Sequence, residues 1–75
     1  MQDKITNLEA YHMLKLWQCN LLKEGYIIMT QATIDKDTHI VQMRHRVNGN
    51  WIVLKVKGCE VQLWKNHSLK KMLVF

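Results

Sequence analysis

The spacing of apolar residues along this chain changes character once, at Gly25. Before it, Ala10, Leu14, Trp17 and Leu21 recur at helical intervals, flanked by Met13 and Leu22. Such a stripe predicts an amphipathic helix. Thr6-Asn7-Leu8-Glu9 reads as a capping box with Thr6 as N-cap, and Ile5 is placed to staple against Ala10. Gly25 stands where a left-handed residue closes a helix, with Lys23 in the last turn. The helix is therefore expected over 7–24.

After Gly25 the period drops to two, the strand period. Tyr26, Ile28, Thr30 and Ala32 alternate with Ile27, Met29, Gln31 and Thr33. A turn centred on Lys36-Asp37 sets Tyr26 opposite Val47 and Ile28 opposite His45. Next comes Asn48-Gly49, the pair preferred by a type I′ hairpin turn. With those two as the loop, Val41, Met43 and His45 face Val56, Leu54 and Ile52. On the other face Gln42, Arg44 and Arg46 meet Lys55, Val53 and Trp51. The following turn is either Lys57-Gly58 or Gly58-Cys59. The choice slips the register by two residues and leaves every side chain on its face. Ser68 suits the N-cap of a short terminal helix through Leu69, Met72 and Leu73, with an edge strand or swapped arm over Lys71 to Phe75 as the alternative.

The expected fold is α+β, a single domain over 1–75. An N-terminal amphipathic helix packs on a three- to four-stranded antiparallel meander, with the short C-terminal helix favoured at the end. The helix shelters Tyr26, Ile28, Met43, Ile52, Leu54, Val61 and Leu63. The opposite face carries Ile27, Met29, Ile40, Gln42, Arg44, Arg46, Trp51, Val53, Lys55, Lys57, Gln62 and Trp64.

Charge changes this picture. The net charge of +5 is unevenly distributed. Residues 1–37 hold four basic and five acidic residues, whereas residues 38–75 hold seven basic residues and one acid, Glu60. A one-sided basic surface is the electrostatic footprint of a polyanion binder. Arg44, Arg46, Lys55 and Lys57 are placed to neutralise phosphates, and Trp51 and Trp64 offer platforms for unstacked bases. Arg46 is expected over Trp51 as a cation–π pair. Two tryptophans with Ile27, Met29 and Val53 exceed what a solvated face needs and mark an interface. The occupant is a partner, a twofold mate of the same chain, or the folded-over tail of Leu69 to Phe75.

Candidate chemistry is sparse. His12, His39, His45 and His67 show no zinc spacing, and no phosphate-binding glycine loop occurs, so neither metal nor cofactor is expected. His45 falls on the core face, where a neutral, hydrogen-bonded imidazole is expected. Cys59 has no identifiable base beside it. Cys19 and Cys59 are distant and Met-Gln-Asp-Lys lacks a secretory apolar core, so free thiols in a reducing, cytoplasmic setting are expected. The longest apolar runs are four residues, far short of the roughly 20 of a membrane span, so no membrane association is expected.

The helix, Leu22-Lys23-Glu24-Gly25-Tyr26, Thr38-His39 opening a strand, and Ser68-Leu69 near the end come in an order that resembles the HicA-type toxins. Those are small basic mRNA interferases with a double-stranded-RNA-binding-domain-like fold. The resemblance implies RNA cleavage with His39 as catalytic residue. It departs from that family at Asp37, which stands where the motif has glycine, and in an extra strand over Glu60 to Lys65.

The reading from the residues themselves is a small non-catalytic binding module, of the kind a bacterial or phage regulator or inhibitor would be. Its exposed sheet around Arg44, Arg46, Trp51, Lys55, Lys57 and Trp64 contacts nucleic acid or an acidic protein surface. The alternatives are a protein–protein or homodimerisation module using the same face, and the ribonuclease just described.

Overall fold

A computed structural model describes residues 7–75. The chain runs α1 (Leu8–Lys23), β1 (Tyr26–Asp35), β2 (Thr38–His45), β3 (Trp51–Lys57), β4 (Glu60–Lys65) and β5 (Ser68–Val74). The five strands form one antiparallel sheet in the order β1-β2-β3-β4-β5. The architecture is α+β, as the two periods predict. The sheet has five strands rather than three or four, and the expected C-terminal helix is instead β5.

α1 lies across one face of the sheet and touches β1, β3 and β4. Its buried residues are Ala10, Leu14, Trp17 and Leu21, the four of the predicted stripe. They close a core with Tyr26, Val41, Met43, Ile52, Leu54, Val56 and Val61, against which Ile28 and Leu63 pack. The predicted core face is therefore the covered one, and the hydrophobic effect selects it because no other described element offers these side chains shelter from water. The capping box and the Ile5 staple involve Thr6 and Ile5, which lie outside the described residues. Asn7 is the N-cap, and its Oδ1 accepts from the Ala10 N–H at 3.0 Å. At the other end Gly25 takes φ +104, the left-handed conformation that stops the helix.

The registers differ from expectation by simple physical causes. Asn48-Gly49 is not a two-residue I′ loop, because only Gly49 has positive φ. Arg46 to Gly49 form a four-residue loop closed by the Gly49 N–H donating to the His45 carbonyl at 3.2 Å and the His45 N–H donating to the Asn50 carbonyl at 2.9 Å. The hairpin consequently pairs Val41 with Leu54 and Met43 with Ile52, a slip of two that preserves the faces. At the β3–β4 turn the loop is Gly58-Cys59, with Val56 opposite Val61 and Leu54 opposite Leu63. Gly58, at φ +61, occupies the first loop position, which a type II′ turn reserves for glycine.

Tyr26 pairs with His45 rather than Val47. Between Ile28 and Thr30 the ladder then carries a bulge at Met29. One extra residue there inverts the facing of β1 from Thr30 to Thr33, up to a second irregularity between Thr33 and Asp35. Gln31 and Thr33 share the α1 side with their partners Val41 and His39, and Thr30 and Ala32 turn outward, against the simple alternation.

The type I′ geometry occurs instead at Asn66-His67, where both residues have positive φ (48 and 71) between the paired Lys65 and Ser68. That turn reverses the chain and makes Ser68 a strand residue instead of a helix cap. β5 then continues the sheet, and Leu69 to Phe75 lie at its edge rather than folded over its outer face.

Candidate functional site

α1 covers one face of the sheet and no described element covers the other. Strand alternation sends Arg44, Trp51, Lys55, Lys57 and Trp64 to that open face, together with Ile40, Gln42, Val53 and Gln62. The cross-strand pairs are Arg44 with Trp51, Gln42 with Val53, Ile40 with Lys55, and Val53 with Trp64. Five of the six residues singled out in the sequence therefore share one surface. Arg46 does not sit in a strand. It leads the β2–β3 loop, where its N–H donates to the Gly25 carbonyl at 3.1 Å. The cation–π pair is consequently Arg44 on Trp51, with the guanidinium carbon 5.5 Å from the ring centre. The expected Arg46–Trp51 pair fails because the four-residue loop shifts the register by two.

An open hollow of about 500 Å³ occupies the middle of this face. Ile40 and Val53 supply aliphatic surface, and Trp51 and Trp64 supply indole. Gln42, Lys55, Asn66 and His67 complete the lining. Several of these groups are held. The Trp64 Nε1–H donates to Gln62 Oε1 at 2.9 Å, and Gln62 Nε2 donates to Glu60 Oε1 at 3.2 Å. Asn66 Oδ1 accepts from the Trp51 N–H at 2.9 Å, and Asn66 Nδ2 donates to Asn50 Oδ1 at 3.2 Å. The left-handed turn thus ties β4 back to the start of β3. A smaller depression beside it brings Arg44, Arg46, Ile27 and Met29 together.

Neither Asn66 nor His67 belongs to the binding face expected from the sequence, where His67 figures only among the histidines without zinc spacing. The available signal was the polar run Lys65-Asn66-His67-Ser68 between Trp64 and Leu69, in which asparagine tolerates the left-handed region.

Of the four histidines, His12 and His67 are exposed, while His39 and His45 are held in defined environments. His39 is only 6% exposed, on the α1 side of β2. Its Nδ1 lies 2.8 Å from Thr33 Oγ1, and its ring meets Tyr11 edge-on at 5.3 Å. Burial, reinforced by the charge of Lys15, lowers its pKa below 6.5. His45 stands half-buried at the end of β2. Its Nδ1 accepts from the N–H groups of Val47 and Asn48 at 3.1 and 3.3 Å. Its Nε2 donates to the Glu24 carbonyl at 3.0 Å, which assigns the neutral Nε2–H tautomer. His45 therefore anchors the loop to the end of α1.

Cys19 and Cys59 are exposed and free. Among the described residues no group of three or more histidine, cysteine or carboxylate side chains is placed to hold a metal ion, and no helix is long and apolar enough to cross a membrane. Comparison of the chain with known protein families, curated proteins and solved structures finds no match.

Proposed function

We propose that this protein is a non-catalytic binding module that holds nucleic acid against the open face of its sheet. The observation that carries this reading is Arg44 seated on Trp51 beside Trp64 and Lys55, on a face that no described element covers. Cations neutralise phosphates, and indoles stack on bases. The strands that build the face come from the half of the chain with seven basic residues and a single acid. The exposed, free cysteines suit a reducing compartment and hence the cytoplasm.

An acidic protein surface, or a second copy of the chain, is the alternative occupant. The aliphatic content of the face, with Ile27 and Met29 each more than two-fifths exposed, favours it. An RNA-cleaving role for His39 asks more of the structure, because that imidazole would have to leave Thr33 and Tyr11 to reach a phosphodiester. Binding at the open face needs no such rearrangement.

Salt dependence separates these occupants. Log affinity for a single-stranded oligonucleotide should fall linearly with log salt, by about 0.7 for each phosphate neutralised. The double change Arg44→Ala with Arg46→Ala should weaken binding and flatten that slope. Stability should drop by no more than an exposed cation–π contact supplies, about 0.5–1 kcal/mol. Fluorescence anisotropy at several salt concentrations, with a melting curve for each variant, measures both. Absence of any binding by the unaltered protein at low salt overturns the nucleic-acid reading.

A further inference from the structure

We propose that the nucleic acid held on the open face is a single strand, with a base lodged in the hollow lined by Trp51 and Trp64 and a neighbouring phosphate in the depression lined by Arg44 and Arg46. This rests on the nucleic-acid reading above and specifies the strandedness of its ligand.

The two concavities differ in chemistry and share a wall. The hollow presents Ile40, Val53 and the two indoles, a surface on which a flat ring stacks and a phosphate gains little. The Trp64 ring is already set in place, because its Nε1–H is held by Gln62 Oε1 at 2.9 Å. The depression, of about 260 Å³, is lined by both arginines. No carboxylate among the described residues lines either concavity, so both are open to a polyanion. Arg44 lies on Trp51 with its guanidinium carbon 5.5 Å from the ring centre, and this pair stands where the two meet. A single strand offers the matching pair of chemistries, a flat base beside a charged phosphate, at every nucleotide.

A duplex does not. Its base faces are stacked inside the helix, and only base edges reach the grooves. Five strands at a spacing of about 4.8 Å make the sheet roughly 19 Å across, wider than a major groove of about 12 Å. Indoles in the middle of such a face do not reach base edges, so a duplex meets the cations alone. Phosphate contacts weaken steeply with salt, whereas stacking does not draw on charge. The preference for a single strand therefore shows best near physiological salt.

The test uses the full chain and three fluorescent probes of equal length in about 0.15 M salt. They are a mixed-sequence deoxyoligonucleotide free of self-complementary stretches, the same strand hybridised to its complement, and a strand of abasic nucleotides. The abasic strand keeps the phosphates and lacks only the bases. Fluorescence anisotropy should show the intact single strand bound about tenfold more tightly than either of the others, the effect of one stacked base. Trp51→Leu, at a position 37% exposed, should lower single-strand affinity about tenfold and leave the other two affinities unchanged. Trp64→Leu carries the same expectation should Trp51→Leu fail to fold, and the comparison of probes on the unaltered protein needs no variant. Duplex or abasic binding as tight as that of the intact strand overturns the single-strand inference and leaves the nucleic-acid reading standing. So does a single-strand affinity that survives in a folded tryptophan variant. Failure of all three probes to bind, at low salt as well, overturns both.

Discussion

At the scale of single residues, His39 couples the fold to pH. Its imidazole is buried against Thr33 and Tyr11, and burial, then Lys15, disfavours the charged form. The unfolded chain therefore takes up this proton at a higher pH than the folded one. Stability from the neutral ring is fully present above 6.5 and falls as the pH drops from there toward the lowered folded-state value. His39→Phe removes the titration. Melting temperatures measured from about pH 7.5 to about pH 5 should decline less steeply in His39→Phe than in the unaltered protein. Equal slopes would show that His39 is not the group responsible. His45 acts differently: it serves as both donor and acceptor, and a β-carbon added at Gly25 would lie 3.0 Å from its Nε2. The glycine that ends α1 is thus also the space into which the β2–β3 loop is docked.

At the scale of elements, the turn at Asn66-His67 determines what becomes of the last eight residues. A left-handed conformation at a histidine costs about 1 kcal/mol relative to glycine, partly offset by glycine's greater freedom in the unfolded chain. His67→Gly should therefore raise stability by about 0.5 kcal/mol, read as a rise in melting temperature, and a lower value would contradict the assigned turn. Legibility varied with the element. The stripe of α1 and the inward positions of β2, β3 and β4 were plain in the sequence because periodicity depends only on which face is sheltered. Register was not, because a two-residue slip leaves that periodicity unchanged. The outward turn of Thr30 and Ala32 was hidden because the Met29 bulge has no compositional mark. β5 replaces the expected helix because Ser68-Leu69 with Met72 and Leu73 fits a helical turn as well as a strand, and Asn66-His67 is a weaker turn signal than Asn48-Gly49. The candidate site was legible as a face, while Arg46 left it for the loop and Asn66 and His67 joined it through a turn that was not foreseen.

At the scale of the whole molecule, the two faces of one sheet differ in kind. One is closed by α1 into the core, and the other remains cationic, indole-bearing and open. Every strand lies beside its predecessor in the sequence. Pairing can then advance like a zip, each new ribbon laid on the one just completed, with no long search to join distant segments and only short connections to close. The chain also contains no proline, so no slow isomerisation delays that process. Refolding from denaturant, followed by tryptophan fluorescence in a stopped-flow instrument, should be complete within a single rapid exponential phase. A phase lasting tens of seconds would mean that assembly does not proceed neighbour by neighbour.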